Sequence, residues 1–302
     1  MNRQINVVVF GASGMLGNVV CMMLTKMANV TIKGTIRSES RTHWRNSLVQ
    51  YLDFDSNHRS HNSISELLLG ADFAINCVGL IPHKNSGKNQ VHFKETNTDF
   101  AIDLAIACKQ IGVRLIHVST DCVFSGSRGA YLETDPKDSN EAYGQSKALA
   151  DDGIGDAVVL RTSVIGCSPV AGPSLLDWFL ASPKDADVDG YTNHYWNGIT
   201  NLAFGKIVGG LLRHSDLVTS MVQHVTPLDF VTKYELLSLS SKYFNRSDLR
   251  IRAIENSKKV DRTLATIDPS RNEEIWRAAG YNKVPTIEML VRELAQEDWR
   301  QQ

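Results

Sequence analysis

The chain carries, at residues 5–17, the sequence INVVVFGASGMLG, in which a short apolar run enters three regularly spaced glycines. The apolar run predicts a buried strand, and the residues after the glycines predict a helix. Gly11 permits a tight turn, Gly14 lets a pyrophosphate approach the backbone, and Gly17 lets the helix pack close to the strand. Because the first turn of a helix presents unpaired N–H groups to anions, this GxxGxxG stretch predicts a dinucleotide-binding site. The alternative is a strand, turn and helix without a ligand.

Strands and helices alternate outward from this stretch through the first half of the chain. The alternation predicts an α/β fold built on a right-handed, doubly wound parallel sheet. The further predicted strands cover residues 30–36, 73–79 and 114–118, with another ending near 52–55, and the predicted helices cover residues 64–69 and 97–111.

The second predicted strand ends in cations, with Arg37 followed by Ser38 and Arg41. An NAD site is expected to place an acidic residue here for the ribose hydroxyls, whereas cations suit the 2′-phosphate of NADP(H). We therefore predict NADP(H) as the cofactor, with NAD(H) as the alternative if the arginines are solvated surface charges. The other contacts expected at strand ends are Asp53 beside the adenine, and Asn76 and Gly79 beside the nicotinamide ribose.

Two polar segments, one with Tyr143 and Lys147 and the other with Thr120, predict the type of reaction. Tyr143 and Lys147 are four residues apart, so they share one face of a helix predicted to start near residues 139–141. A nearby ammonium is expected to lower the pKa of the phenol toward the working range, which suits proton transfer to or from a carbonyl or carbinol oxygen. Thr120 follows the predicted strand at 114–118, and a hydroxyl at the carboxyl end of such a strand faces the ligand crevice. The three side chains predict a hydride-transfer site; the alternative is an exposed helix that merely contains Tyr-x-x-x-Lys.

Five segments together resemble the extended short-chain dehydrogenase/reductase superfamily. They are residues 11–17, 76–79 and 119–126, the pair Tyr143 and Lys147, and residues 161–166, and they cover about the first half of the chain. Within the superfamily, the sequence is most similar to the dTDP-4-dehydrorhamnose reductase group, whose members modify nucleotide-activated sugars.

This resemblance implies a Rossmann domain and a reductase in which NADPH delivers hydride to the keto carbon of a nucleotide-activated 4-keto sugar. It implies Tyr143 as the proton donor, Thr120 as the residue that positions the substrate oxygen, and Lys147 as a ligand of the nicotinamide ribose. Surface-polysaccharide sugar synthesis is the implied pathway. The implied cofactor contacts are Gly11, Ser13, Gly14, Met15, Leu16, Gly17, Arg37, Ser38, Asp53, Asn76, Cys77, Val78, Gly79, Asn97, Tyr143 and Lys147. The implied substrate contacts are Leu80, His83, Thr120, Asp121, Val123, Phe124, Asn193, Trp196 and Arg262.

One departure from the superfamily pattern narrows the chemistry. Sugar-nucleotide dehydratases place Asp-Glu after the threonine, whereas here Asp121 is followed by Cys122, so water elimination is not expected. A sugar-nucleotide epimerase remains open, because it can share the three catalytic residues. A non-catalytic NADP-binding regulatory subunit, similar to the β subunit of methionine adenosyltransferase, also remains open, as does a reductase of a small carbonyl compound.

The second half of the chain is predicted to form a smaller α/β substrate-binding lobe. We assign residues 1–166 to the NADP-binding domain and 167–302 mainly to this lobe, with residues 190–235 partly returning to the first sheet. Residues 190–200 are rich in aromatic and amide side chains, which suit recognition of a sugar or, alternatively, cap the core. The predicted elements here are helices at 201–212, 233–243 and 287–294, and a strand at 224–228.

Composition sets further limits. The 302 residues include 32 lysines and arginines and 33 aspartates and glutamates, so no bulk charge favours nucleic acid or a membrane as a partner. The apolar runs are too short to span a membrane, and five scattered cysteines indicate reduced thiols in a cytoplasmic protein. No catalytic metal is predicted, because no ligand cluster has metal spacing. The expected partner is a nucleotide-sugar substrate, a homodimer is compatible by analogy, and His117 is expected to be a packed core residue.

Overall fold

The computed structural model describes residues 3–37, 46–82, 90–169 and 174–297. Ser38, Arg41 and His83, which the sequence placed near ligands, lie outside these ranges. The strands are β1 (Ile5–Phe10), β2 (Val30–Ile36), β3 (Val49–Asp53), β4 (Phe73–Asn76), β5 (Arg114–Ser119), β6 (Val158–Arg161), β7 (Val164–Ile165), β8 (Asp187–Tyr191), β9 (His194–Trp196), β10 (Ile199–Thr200), β11 (Met221–His224), β12 (Val231–Thr232), β13 (Arg250–Ile254) and β14 (Val260–Asp261). The α-helices are α1 (Met15–Thr25), α2 (His61–Leu68), α3 (Gln90–Phe93), α4 (Phe100–Ile111), α5 (Ala142–Gly153), α6 (Leu175–Leu180), α7 (Asn201–Arg213), α8 (Lys233–Tyr243), α9 (Pro269–Ala278) and α10 (Ile287–Gln296).

A seven-stranded sheet in the order β11-β6-β5-β4-β1-β2-β3 forms the centre of the molecule. Each neighbouring pair of strands is parallel. In β1, Val7 and Val9 join one hydrophobic cluster, and Val8 and Phe10 join another. Because a parallel sheet is covered by helices on both faces, both sets of side chains are buried, which explains the continuous apolar run of β1. The predicted α/β fold with a doubly wound parallel sheet is confirmed.

Two predicted elements have different bounds in the structure. The sequence predicted a strand at 224–228, whereas strand β11 covers Met221–His224. It ends at His224 because that residue pairs with Arg161, the last residue of its partner β6. The helical segment predicted from residue 97 begins at Gln90, and a π-helical stretch at Lys94–Asp99 joins α3 to α4. Such π segments recur at functional sites, and this one contains the buried Asn97.

The rest of the second half builds three small sheets, with strand orders β10-β7, β12-β9-β14 and β13-β8. Strand β11 belongs to the central sheet, so residues from both halves of the chain form that sheet. The division into functional domains at residue 166 stays a prediction. Across the described ranges, none of the helices combines the length and the apolar character needed to cross a membrane.

Candidate active site

The glycine turn after β1 is stabilised mainly by backbone groups. Gly11 has a φ of 83°, and its N–H donates to Thr35 Oγ1 at 3.1 Å. A Cβ atom on Gly17 would lie 2.3 Å from the Gly11 carbonyl oxygen, so α1 packs directly on the turn. Gly14 is exposed, and as the N-cap of α1 it supplies no side-chain cap. The open first turn of α1 therefore fits an anionic group such as a pyrophosphate.

A groove of about 270 Å³ opens beside this turn, and we call it the glycine groove. Several of the predicted cofactor residues line it: Gly11, Ser13, Gly14, Arg37, Cys77, Val78 and Gly79, together with the predicted substrate residue Leu80. The lining that the sequence did not predict comprises Thr35, Ile36, Phe54, Asp55, Ser56, Asn57, His92 and Thr96. Among the residues that the structure describes, Met15, Leu16, Gly17, Asp53, Asn76 and Asn97 are near the groove in sequence or in space but do not line it.

The acidic residue at the groove is Asp55 rather than Asp53. Strand β3 ends at Asp53, and the chain then turns so that Asp55 lines the groove beside Arg37. The Asn57 backbone N–H, His58 and Arg37 hold the pKa of Asp55 below its usual value. The position of the strand end selects between two nearby aspartates, and the sequence carried no signal for that position.

Asn97 fixes the loop that follows β4. Its amide donates to Leu80 O at 3.0 Å and accepts from Leu80 N–H at 2.7 Å. The same amide nitrogen donates to Ser146 Oγ at 2.9 Å, which ties this loop to α5. Asn97 therefore acts on the groove through the Leu80 backbone.

Thr120 and Tyr143 lie next to each other. Thr120 caps the short helical turn at Asp121–Val123 by accepting from Cys122 N–H at 3.2 Å, and its side chain hydrogen-bonds the Tyr143 phenol. The edge of Phe93 packs on the Tyr143 ring with 6.2 Å between ring centroids. Burial first, and then the neighbouring Cys122 and Asp121, raise the pKa of Tyr143. The expectation that Lys147 lowers this pKa is wrong for the structure, because burial outweighs the other effects.

Lys147 is buried beside strand β5. Its Nζ donates to Val118 O at 2.7 Å and lies 3.1 Å from His117 Nε2. Burial lowers the pKa of Lys147 to about 8, while Asp151 and Cys77 oppose that change. Lys147 therefore neighbours a residue of the glycine groove, because Cys77 lines that groove.

Two basic residues, Arg262 and Lys233, lie near Asp121, the residue after Thr120. Arg262 donates to Phe124 O at 3.1 Å and to Glu141 Oε1 at 2.7 Å. Lys233, which the sequence analysis missed, is near Asp121 and Arg262, and burial lowers its pKa. Burial also raises the pKa of Asp121, although Arg262 opposes this.

Four predicted substrate residues have structural roles. Val123 and Phe124 are fully buried, and Phe124 stacks on Tyr131 with 4.3 Å between ring centroids. Trp196 is 8% exposed and packs in a core cluster with Leu236 and Ile287, which matches the core-capping alternative. The Asn193 amide is used by two bonds to the Asn256 backbone, at 2.6 and 3.0 Å.

A buried ion pair anchors helix α5 to the central sheet. Arg161 Nη2 lies 2.7 Å from Asp151 Oδ2, and the two side chains are 1% and 0% exposed. Asp151 also accepts from Ser119 Oγ at 2.7 Å, one residue before Thr120. Asp151 lies one turn after Lys147 on α5, so the pair joins α5 to β5 and β6. Sequence spacing does not predict this pair, because it depends on how the strands align.

No group of three or more His, Cys, Asp or Glu side chains in the described ranges is arranged to hold a metal ion.

Comparisons with known proteins place these features in a family. The family model described as RmlD substrate binding domain matches residues 5–170. A probable low-salt glycan biosynthesis reductase of Haloferax volcanii is 29% identical over 162 residues, which are 52% of this chain and 52% of that protein. A dTDP-4-keto-6-deoxy-D-glucose reductase of Streptomyces niveus is 22% identical over 189 residues, covering 61% of this chain and 65% of that protein. The chain thus matches about half of the length of the first curated relative and less than two thirds of the second.

Solved structures extend the likeness over nearly the whole chain. A dTDP-4-dehydrorhamnose reductase from Bacillus anthracis, in complex with NADP, superposes with a TM-score of 0.72 at 15% identity and covers 96% of this chain and 98% of that one. At this identity the match establishes the fold alone.

Proposed function

Because this chain belongs to the RmlD substrate binding domain family, we propose that it is an NADPH-dependent reductase of a nucleotide-activated 4-keto sugar. The observation that carries the proposal is that Tyr143, hydrogen-bonded to Thr120, lies one turn before Lys147 on α5, and that Lys147 neighbours Cys77, which lines the glycine groove. The names of the two reductases reported above support the same class of substrate.

The reaction needs one hydride and one proton at the two atoms of a carbonyl group. Bound NADPH would supply the hydride to the keto carbon. Tyr143 gives its phenolic proton to the carbonyl oxygen, and a raised pKa keeps that proton in place until the oxygen gains charge. Thr120, which already hydrogen-bonds the phenol, orients the same substrate oxygen. The product is the alcohol, and the enzyme retains a phenolate that must be reprotonated.

The glycine groove is the proposed cofactor site. The open first turn of α1 would bind the pyrophosphate through backbone N–H groups, and Lys147 would hold the nicotinamide ribose. Arg37 is exposed at the end of β2 and lines the groove, which supports recognition of a 2′-phosphate and therefore NADP(H) over NAD(H).

The proposed site for the anionic part of the substrate is beside Arg262 and Lys233. Both basic residues are near Asp121, which directly follows Thr120 in the sequence. A diphosphate-linked sugar has this combination of charges and a keto group, whereas a small neutral carbonyl compound does not.

The residue after Asp121 argues against water elimination. Burial raises the pKa of Cys122 to about 12, so its thiol remains protonated and cannot act as the base that a dehydratase needs. An epimerase and a non-catalytic regulatory subunit differ from a reductase in turnover, which the following experiment measures.

The test is NADPH oxidation, followed by absorbance, with a panel of dTDP-, UDP- and GDP-linked 4-keto sugars. We expect turnover with at least one substrate and a loss of about 10²-fold or more in kcat for Tyr143→Phe. Tyr243→Phe is the matched control, because that half-buried phenol hydrogen-bonds the exposed Glu288 and does not line the glycine groove. Full activity of Tyr143→Phe would overturn the mechanism. Tight NADPH binding without turnover on any substrate would favour the epimerase or the regulatory subunit.

A further inference from the structure

A buried chain of hydrogen bonds runs from the loop after β4, through β5, to Lys147. Val78 N–H donates to Asn76 Oδ1 at 3.1 Å, and Asn76 Nδ2 lies 3.0 Å from His117 Nδ1. His117 Nε2 lies 3.1 Å from Lys147 Nζ, which also donates to Val118 O. The side chains of this chain are almost fully buried, with exposures of 1% for Asn76, 0% for His117 and 4% for Lys147.

The direction of each bond can be worked out from its fixed end. The Val78 N–H can only donate, so the oxygen of the Asn76 amide must face it, and the NH₂ group must face His117. His117 Nδ1 therefore accepts. A neutral imidazole carries one N–H, which is then on Nε2 and points at Lys147 Nζ. An amine can accept this N–H, but an ammonium has no lone pair with which to do so.

We propose that His117, held in one tautomer by Asn76, is a positioning residue that favours the amine form of Lys147 over its ammonium form. Protonating Lys147 breaks one hydrogen bond of this series. The ammonium and His117 Nε2–H would then both be donors facing each other, and neither could accept. The proposal deepens the proposed function and rests on it only for the consequence in catalysis. A lysine that titrates close to neutral pH can exchange a proton during turnover, whereas an unperturbed lysine stays charged.

The other groups around Lys147 have mixed effects. Asp151, one turn later on α5, and Cys77, after β4, both favour the ammonium, and burial opposes it. Tyr143 lies one turn earlier on the same helix. Burial holds the pKa of His117 well below its usual value, so an imidazolium is not an alternative way to satisfy these hydrogen bonds. The amine form of Lys147 and a neutral His117 are therefore mutually consistent.

The first test needs neither substrate nor turnover. In ligand-free protein labelled with ¹⁵N-histidine, the imidazole ¹⁵N shifts of His117 are recorded at pH 9, above the titration of Lys147. We expect a protonated Nε2 and an unprotonated Nδ1. A protonated Nδ1 overturns the proposal, whatever happens to activity.

The second test follows the ¹³Cε shift of Lys147 against pH. Asn76→Ala frees His117 to turn a lone pair toward Nζ, so we expect the pKa of Lys147 to rise by at least about half a unit relative to the wild type. Asn97→Ala is the matched control, because this equally buried amide anchors the same loop and α5 without touching His117. An unchanged pKa in Asn76→Ala, or equal rises in both variants, overturns the proposal. Because neither measurement uses turnover, this inference and the proposed reductase can fail separately.

Discussion

At the glycine turn the candidate site is made of backbone, whereas around Lys147 it is made of buried side chains. The turn lies within one continuous stretch, and its contacts are those of Gly11, Gly17 and the Thr35 side chain. The residues linked to Lys147 by hydrogen bonds are distant in sequence: His117 is 30 positions away, and Asn76 is a further 41 positions from His117. Backbone sites depend on glycine spacing and tolerate little change in shape. Side-chain sites depend on burial and charge, so their failures should show in stability and pH dependence.

The largest effect on stability is expected at the buried ion pair of Asp151 and Arg161. Asp151→Asn leaves the Arg161 guanidinium buried without its carboxylate, which should lower the free energy of unfolding by about 3–5 kcal/mol. Asp152→Asn, one residue along, is the control: its partner Lys137 and its own side chain are 22% and 64% exposed, so we expect a loss below about 1 kcal/mol. Urea unfolding measures both. Equal losses would mean that burial does not distinguish the two pairs.

Lys147 itself should make stability depend on pH. Its pKa is about 8 when folded and returns toward 10.5 when unfolded, so the unfolded chain binds more protons between these values. Stability contributed by this group therefore rises with pH across that window and is lowest below pH 8. Relative to Lys147→Met, the wild type should gain about 3 kcal/mol between the two ends of the window.

The measurement for Lys147 is urea unfolding of both proteins at closely spaced pH values. Lys109→Met is the control, because the Lys109 side chain is 75% exposed and its substitution should leave the difference constant with pH. A wild-type advantage over Lys147→Met that falls as pH rises would contradict the buried geometry.

At the backbone-built end, two alanine substitutions should separate folding from binding. A Cβ on Gly17 would lie 2.3 Å from the Gly11 oxygen, so Gly17→Ala must displace α1, and we expect a loss of about 1–3 kcal/mol. A Cβ on Gly14 meets nothing closer than 3.4 Å, so Gly14→Ala should lose no more than about 1 kcal/mol, from the poorer N-cap, while it lowers NADPH affinity. Thermal unfolding with and without NADPH reports both effects. Normal NADPH affinity in Gly14→Ala would contradict the proposal that the pyrophosphate binds at this turn.

The same contrast explains what the sequence could and could not predict. Strands β1 and β2 and helix α8 have the predicted bounds, because apolar periodicity is local to each element. His117 was expected to be a packed core residue, and it is fully buried, yet its hydrogen bonds arise because the register of β4 and β5 pairs it with Asn76. Sequence spacing carries no information about that register.

The second half of the chain also shows what sequence patterns could not predict. A cluster of aromatic and amide residues near position 195 can face a sugar or fill a core, and both outcomes need the same side chains. The structure buries Trp196 and uses the Asn193 amide inside the loop. Lys233 had no motif to mark it, because its proximity to Asp121 results from tertiary packing.

Arg37 tests whether an exposed side chain adds anything to the backbone-built end. Its guanidinium lines the glycine groove beside Asp55, and a charge-assisted contact to a 2′-phosphate is worth about 1.5–3 kcal/mol when it forms. Because the side chain is exposed, we expect the low end: Arg37→Ala should raise the Kd for NADPH about tenfold and leave that for NADH unchanged. Fluorescence titration with both dinucleotides gives the ratio, and NADH is the internal control. Equal losses of affinity for NADPH and NADH would mean that Arg37 contacts a part of the cofactor that both share. Unchanged affinity for both would mean that Arg37 does not contribute to binding.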